Sequence, residues 1–119
     1  MSKNEKIASL LEHIAVYSNE IKDTIQRYGD DIDIFLNDRD YQRSVSLSLI
    51  QIGELAKRLP MEFRQQNSVI PCGDICGQRD IVVHTYGDVN FSKIFDIVHQ
   101  NVDDLLKFCT DWIANNPEP

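Results

Sequence analysis

A chain of 119 residues, 42% of them hydrophobic, is the size of one domain and can bury a core without disulfides or metals to staple it. Its net charge of −7 excludes broad, non-specific binding of nucleic acid, because phosphate backbones are held by lysine and arginine; any RNA or DNA site must be a local basic pocket or one assembled from two chains. No run approaches the roughly 20 apolar residues of a membrane span, and the opening MSKNEKIASLLEHIAVYSNE has no long apolar core of the signal-peptide kind, so the sequence reads as cytoplasmic.

The hydrophobic pattern is helical nearly throughout, and no segment alternates with period two for long enough to be a strand. The first predicted helix runs from about Asn4 to Tyr28. Ile7, Leu10, Leu11, Ile14, Tyr17, Ile21, Ile25 and Tyr28 recur at steps of three and four, and Gly29 ends the run. His13 sits at the border of this stripe. A short helical piece around DIDIFLN follows. The second long helix spans about Asp40 to Leu59, with Val45, Leu49, Ile52, Ala56 and Leu59 forming a helix-packing seam; Pro60 stops it. Leu47, Ile50 and Leu55 lie off that seam, so this helix has a second apolar face to cover, by another helix of the chain or by a second subunit.

MEFRQQN is at most a short helix, and SVIPCGD is a loop punctuated by Pro71 and Gly73. Asp74 is the expected N-cap of the next helix, which GDVN after Tyr86 breaks. Across the end of that loop and the start of the helix, CGDIC sets Cys72 and Cys76 with three residues between them. With no second pair and no histidine at zinc-finger spacing, they and Cys109 read as reduced, partly buried thiols, and no metal is expected. The last helix runs from about Asn90 to Ile113 with a wide stripe of Phe91, Ile94, Phe95, Val98, Val102, Leu105, Leu106, Cys109 and Trp112. Trp112 is expected as a core or interface anchor, and His99 as a boundary residue. The expected fold is one all-α domain over residues 1–119, an up-down bundle of about four to five helices.

The chemistry concentrates in RDIVVHTY, residues 79–86. On a helix, Asp80 and His84 are four apart and share a face, so the carboxylate can orient the imidazole and fix its tautomer. Arg79 and His84 differ by about 140° around an ideal helix, a poor pair within one chain that a twin helix from a second subunit would complete. Arginine offers a permanent cation with a planar fork matching phosphate oxygens, and histidine moves protons near neutrality. That pairing suits attack of an RNA 2′-hydroxyl on its neighbouring phosphate. On composition alone, an arginine and a histidine on an exposed helix are more often solvent contacts or ion-pair partners.

Two separated segments carry a resemblance. IPCGDICGQRDIVVHTY resembles the signature region of the HEPN superfamily, in its HepT-like branch: an arginine, a polar residue, three more positions, a histidine, any residue and a tyrosine, here Arg79, Asp80, His84 and Tyr86. LIQIGELAKRLP resembles the Ile-Gly-Glu-Ala-Ala-Lys-Arg segment of the same family's central helix, and order and length agree over nearly the whole chain. The resemblance implies an all-α homodimer with its cleft at the interface and a metal-independent ribonuclease without a cofactor. It further implies a toxin whose antitoxin is a minimal nucleotidyltransferase able to transfer AMP to Tyr86. It places Gly53 and Glu54 near the cleft. By residue type alone, Gly53 allows close helix approach, Glu54 pairs with a base such as Arg79 or Arg58, and Lys57 and Arg58 either guide RNA or form a solvated face. The chain carries Asp80 where the family often has asparagine.

Overall fold

The structure is a computed structural model that describes residues 2–67 and 90–117. Among the described residues there are five helices and no strand: α1 (Lys3–Tyr28), α2 (Ile32–Leu36), α3 (Arg39–Arg58), α4 (Met61–Gln66) and α5 (Phe91–Asn115). The expected all-α class and the expected helix limits therefore stand within a residue or two. The predicted loop at SVIPCGD and the predicted helix from Asp74 to Tyr86 lie outside the described residues.

Helix ends follow their local chemistry. The Ser2 hydroxyl accepts from the Glu5 amide at 3.1 Å to start α1. Asp31 and Asp38 cap α2 and α3 by accepting from two backbone amides each, satisfying donors that a helix start leaves open. Asn90 does the same for α5 through the Lys93 amide. α1 ends at Gly29, whose φ of 117° lies in territory that residues with a Cβ rarely enter. A Cβ there would also stand 3.0 Å from Ile34 Cδ1.

α1 is the middle of the bundle and packs against both α3 and α5. Its stripe is buried at Ile7, Leu10, Leu11, Ile14 and Ile21, while Tyr17, Ile25 and Tyr28 are half-buried against the same core. The α3 seam is buried at every expected position, and so are Ile94, Ile97, Val98, Val102, Leu105 and Cys109 of α5. Both outer helices run antiparallel to α1. Tyr41 at the start of α3 donates its hydroxyl to the Gly29 carbonyl at 3.0 Å, and His99 near the start of α5 bonds Asp30 just beyond α1. At the opposite end, a common recess brings Lys3 together with Phe63 of α4 and Trp112 of α5.

The Gly29 end is closed by aromatic rings. Phe35 of α2 is fully buried, edge-on to Tyr41 at 4.9 Å and against Phe95 at 5.1 Å; Tyr41 stacks on Tyr28 at 4.9 Å. Burial raises the Tyr41 phenol above its usual range, and the Asp30 charge adds to this, so the ring stays neutral and keeps its donor. Gln42 ties the plug down by donating to the carbonyls of Phe35 and Leu36, which end α2 without helical partners.

The second apolar face of α3 is only half covered. Ile50 and Leu55 pack against the core, but Leu47 is 60% exposed. At 100° per residue, Arg43, Leu47, Ile50, Glu54 and Arg58 share the side of α3 turned from the seam.

Candidate functional site

Of the expected site residues, Arg79, Asp80, His84 and Tyr86 lie outside the described residues, as do Cys72 and Cys76. The expected site residues that fall within the described ones lie at the C-terminal end of α3. Gly53 is buried and Glu54 beside it is half-buried, while Lys57 and Arg58 are exposed in the last turn. Both cations stand where the helix presents its partial negative charge, a favourable position before any ligand is considered. Glu54 and Arg58 are four apart, Glu54 and Lys57 three apart, so all three project to one side of the helix. They share it with the uncovered Leu47. A carboxylate, two cations and an exposed leucine therefore lie along one outward strip, with Gly53 in the buried surface beside it.

Among the described residues, the histidines and the cysteine outside α3 have structural roles or surroundings that account for them. His99 makes two hydrogen bonds, Nδ1 to the Phe95 carbonyl at 2.8 Å and Nε2 to the Asp30 carboxylate at 2.5 Å. Both partners are acceptors when Asp30 is ionised, and only the imidazolium can donate to both at once, so the pair favours the charged ring. Burial pulls its pKa down, but the Asp30 hydrogen bond, the Phe95 carbonyl and the charges of Asp30 and Asp96 outweigh that, and the net shift is upward. With both nitrogens engaged, His99 is a clamp between α5 and the α1–α2 turn rather than a free base. Its pairing with Asp30, across 69 positions of sequence, is what residue-by-residue reading did not find; the only local signal was the histidine itself. His13 is exposed and hydrogen-bonds the Ser9 carbonyl of its own helix at 2.7 Å. Cys109 is fully buried, and burial pushes its thiol up to about 12, which leaves it without thiolate character at neutral pH.

Trp112 is half-buried and meets Phe63 edge to face at 5.7 Å, anchoring α4 to α5 as a core residue would. Among the described residues, no helix is long and apolar enough to cross a membrane.

Comparison with known proteins gives a consistent picture. The model of the ribonuclease HepT-like family matches residues 14–111, a span that includes both LIQIGELAKRLP and RDIVVHTY. A protein of Caldanaerobacter subterraneus subsp. tengcongensis, whose name proposes an RNase, is 36% identical over 98 residues, covering 82% of this chain and 85% of its own. A Methanocaldococcus jannaschii protein named in the same way is 35% identical over 88 residues, 73% of each chain. A Thermococcus cleftensis protein whose name proposes a ribonuclease HepT is 28% identical over 101 residues, 85% of this chain and 84% of its own. No solved structure gives a significant match.

Proposed function

The chain belongs to the HepT-like ribonuclease family, and on that premise we propose that it is a metal-independent RNA endonuclease, the toxin of a pair whose antitoxin is a minimal nucleotidyltransferase. The observation that carries this reading is the family match over 14–111, which takes in both the Arg79–His84 motif and the Gly53–Arg58 segment.

In the proposed reaction the RNA 2′-oxygen attacks the adjacent phosphorus and the 5′-oxygen of the next nucleotide leaves. His84 takes the proton from the 2′-hydroxyl or gives one to the leaving oxygen. Arg79 binds the phosphate and stabilises the charge that builds on its non-bridging oxygens. Asp80 orients His84 through its second nitrogen. Glu54, Lys57 and Arg58 support the cleft from α3, the two cations guiding a phosphate chain that the net charge of −7 otherwise repels.

The proposed assembly is a homodimer with the cleft at its interface, which supplies two copies of Arg79 and His84. The exposed Leu47, on the same side of α3 as Glu54 and Arg58, supports an interface there. Inhibition is proposed at Tyr86, whose hydroxyl would take AMP from ATP with release of pyrophosphate. The added nucleotide brings bulk and negative charge beside Arg79 and His84 and so competes with an RNA phosphate.

The test is cleavage of RNA by purified protein against Arg79→Ala and His84→Ala at matched fold, with loss of more than a hundredfold expected for His84→Ala. Equal cleavage by all three would sink the catalytic assignment. The net charge favours one second reading, a non-catalytic helical subunit that binds the nucleotidyltransferase and helps present its substrate. Expressing the chain alone separates the two. Growth arrest that disappears with His84→Ala supports the toxin; harmless expression with tight partner binding supports the subunit.

A further inference from the structure

The end of the bundle opposite Gly29 holds a recess of about 300 Å³ between the start of α1, α4 and the end of α5. This is at the small end of the range for small-molecule pockets. Two aromatic rings line it, Phe63 and Trp112. They meet edge to face, with 85° between their planes; Phe63 is buried, and Trp112 is the half-buried ring of the pair. Phe108 backs Phe63 at 6.2 Å and fixes it.

Around the rings stand four carboxamides: Asn4, Gln66, Asn67 and Asn116. Two of them are built in. Asn67 ends α4 and donates Nδ2 to the Phe63 carbonyl at 2.8 Å; Asn116 ends α5 and donates Nδ2 to the Trp112 carbonyl at 2.9 Å. Each helix thus locks an amide four residues beyond its own aromatic residue. The locked amide keeps its carbonyl oxygen and its second N–H in a fixed orientation, a donor beside an acceptor. Such pairs match the hydrogen-bonding edge of a nucleobase, and the ring of Trp112, the only one of the two that is not buried, offers a π surface to stack on.

A cation also reaches the rim. Lys3 is paired with Glu62 at 3.7 Å, but both side chains are about two-thirds exposed. An exposed pair of this kind contributes little, so Lys3 can turn to a phosphate at small cost.

We propose that this recess, lined by Phe63 and Trp112 and rimmed by carboxamides, is a subsite for one base of single-stranded RNA. It rests on the reading of the chain as an RNA-cutting enzyme and adds to it a place where the substrate is held by a base rather than by its backbone. The one half-buried ring, Trp112, accommodates one base, with Lys3 on the adjoining phosphate.

The chain has one tryptophan, so intrinsic fluorescence reports on this recess directly. The experiment titrates the full-length protein with a short 2′-O-methyl RNA, which cannot be cut, and with a chain of the same length lacking bases. Saturable quenching of Trp112 by the base-carrying strand alone is expected. Gln66→Ala and Asn4→Ala, both at exposed positions, should weaken that binding several-fold. With a labelled strand, Trp112→Ala should weaken it roughly tenfold, and Trp112→Phe should recover most of the loss. No quenching, or equal quenching by the strand without bases, overturns the subsite. Cleavage of RNA with a silent Trp112 removes the subsite and leaves the nuclease. Quenching without cleavage does the reverse.

Discussion

At the scale of single residues, two positions carry more than their local sequence suggests. The Asp30 carboxylate and the Phe95 carbonyl favour the imidazolium form of His99, and its pKa is raised. A basic group whose pKa is higher folded than unfolded stabilises the fold fully below its unfolded value, about 6.5, and the contribution is lost as pH rises through the folded value. His99→Gln should therefore lower Tm most near pH 6, with the gap to wild type narrowing as the pH climbs. A gap that widens toward alkaline pH would contradict the clamp. Gly29 was legible as a helix stop, and its φ of 117° gives the reason. Gly29→Ala should cost about 1–3 kcal/mol in urea unfolding, since it forces a Cβ into that backbone region; Ile34, whose Cδ1 lies 3.0 Å from the Cβ position, must move as well. The His99–Asp30 contact was not legible, because it joins residues that only the antiparallel packing of α1 and α5 brings together.

At the scale of elements, periodicity gave the long helices because one buried face imposes steps of three and four whatever it packs against. Ile7 to Ile21 and Val45 to Leu59 needed no tertiary information. The short helix α2 is different. DIDIFLN reads only as a helical piece, yet it seats Phe35 among Tyr41, Phe91 and Phe95, residues from two other helices. Ring packing of that kind depends on which helices meet, and the sequence pattern of α2 carries none of it. Phe35→Ala should cost about 3–5 kcal/mol, measured by urea denaturation, the range for removing a fully buried aromatic. A loss below about 1 kcal/mol would mean that the plug is not what closes this end. On α3 the second apolar face was legible, but how it is covered was not: Ile50 and Leu55 found the chain's own core and Leu47 did not.

At the scale of the whole molecule, the family was legible because two separated motifs in the right order are far more specific than either alone, and the all-α class because the apolar pattern is helical nearly throughout. The chemistry of Arg79, Asp80, His84 and Tyr86 remains a proposal argued from their types and from family membership. Of the expected site residues, Glu54, Lys57 and Arg58 lie together, on the side of α3 that also exposes Leu47. If that side is the dimer interface, Leu47→Glu should leave the stability of the subunit within about 0.5 kcal/mol, as for an exposed position, while sedimentation shifts from dimer to monomer. A wild type that is already monomeric at micromolar concentration would count against the composite cleft.

The central claim is that the chain cuts RNA through its own arginine and histidine, using the 2′-hydroxyl. Its most direct test is to incubate the purified protein with RNA in the presence of a chelator and identify the new ends. Fragments ending in a 2′,3′-cyclic phosphate, with none formed by His84→Ala and none from a 2′-O-methyl strand, are the expected result. Cleavage that needs an added divalent ion, survives His84→Ala, or proceeds on the 2′-O-methyl strand would contradict it.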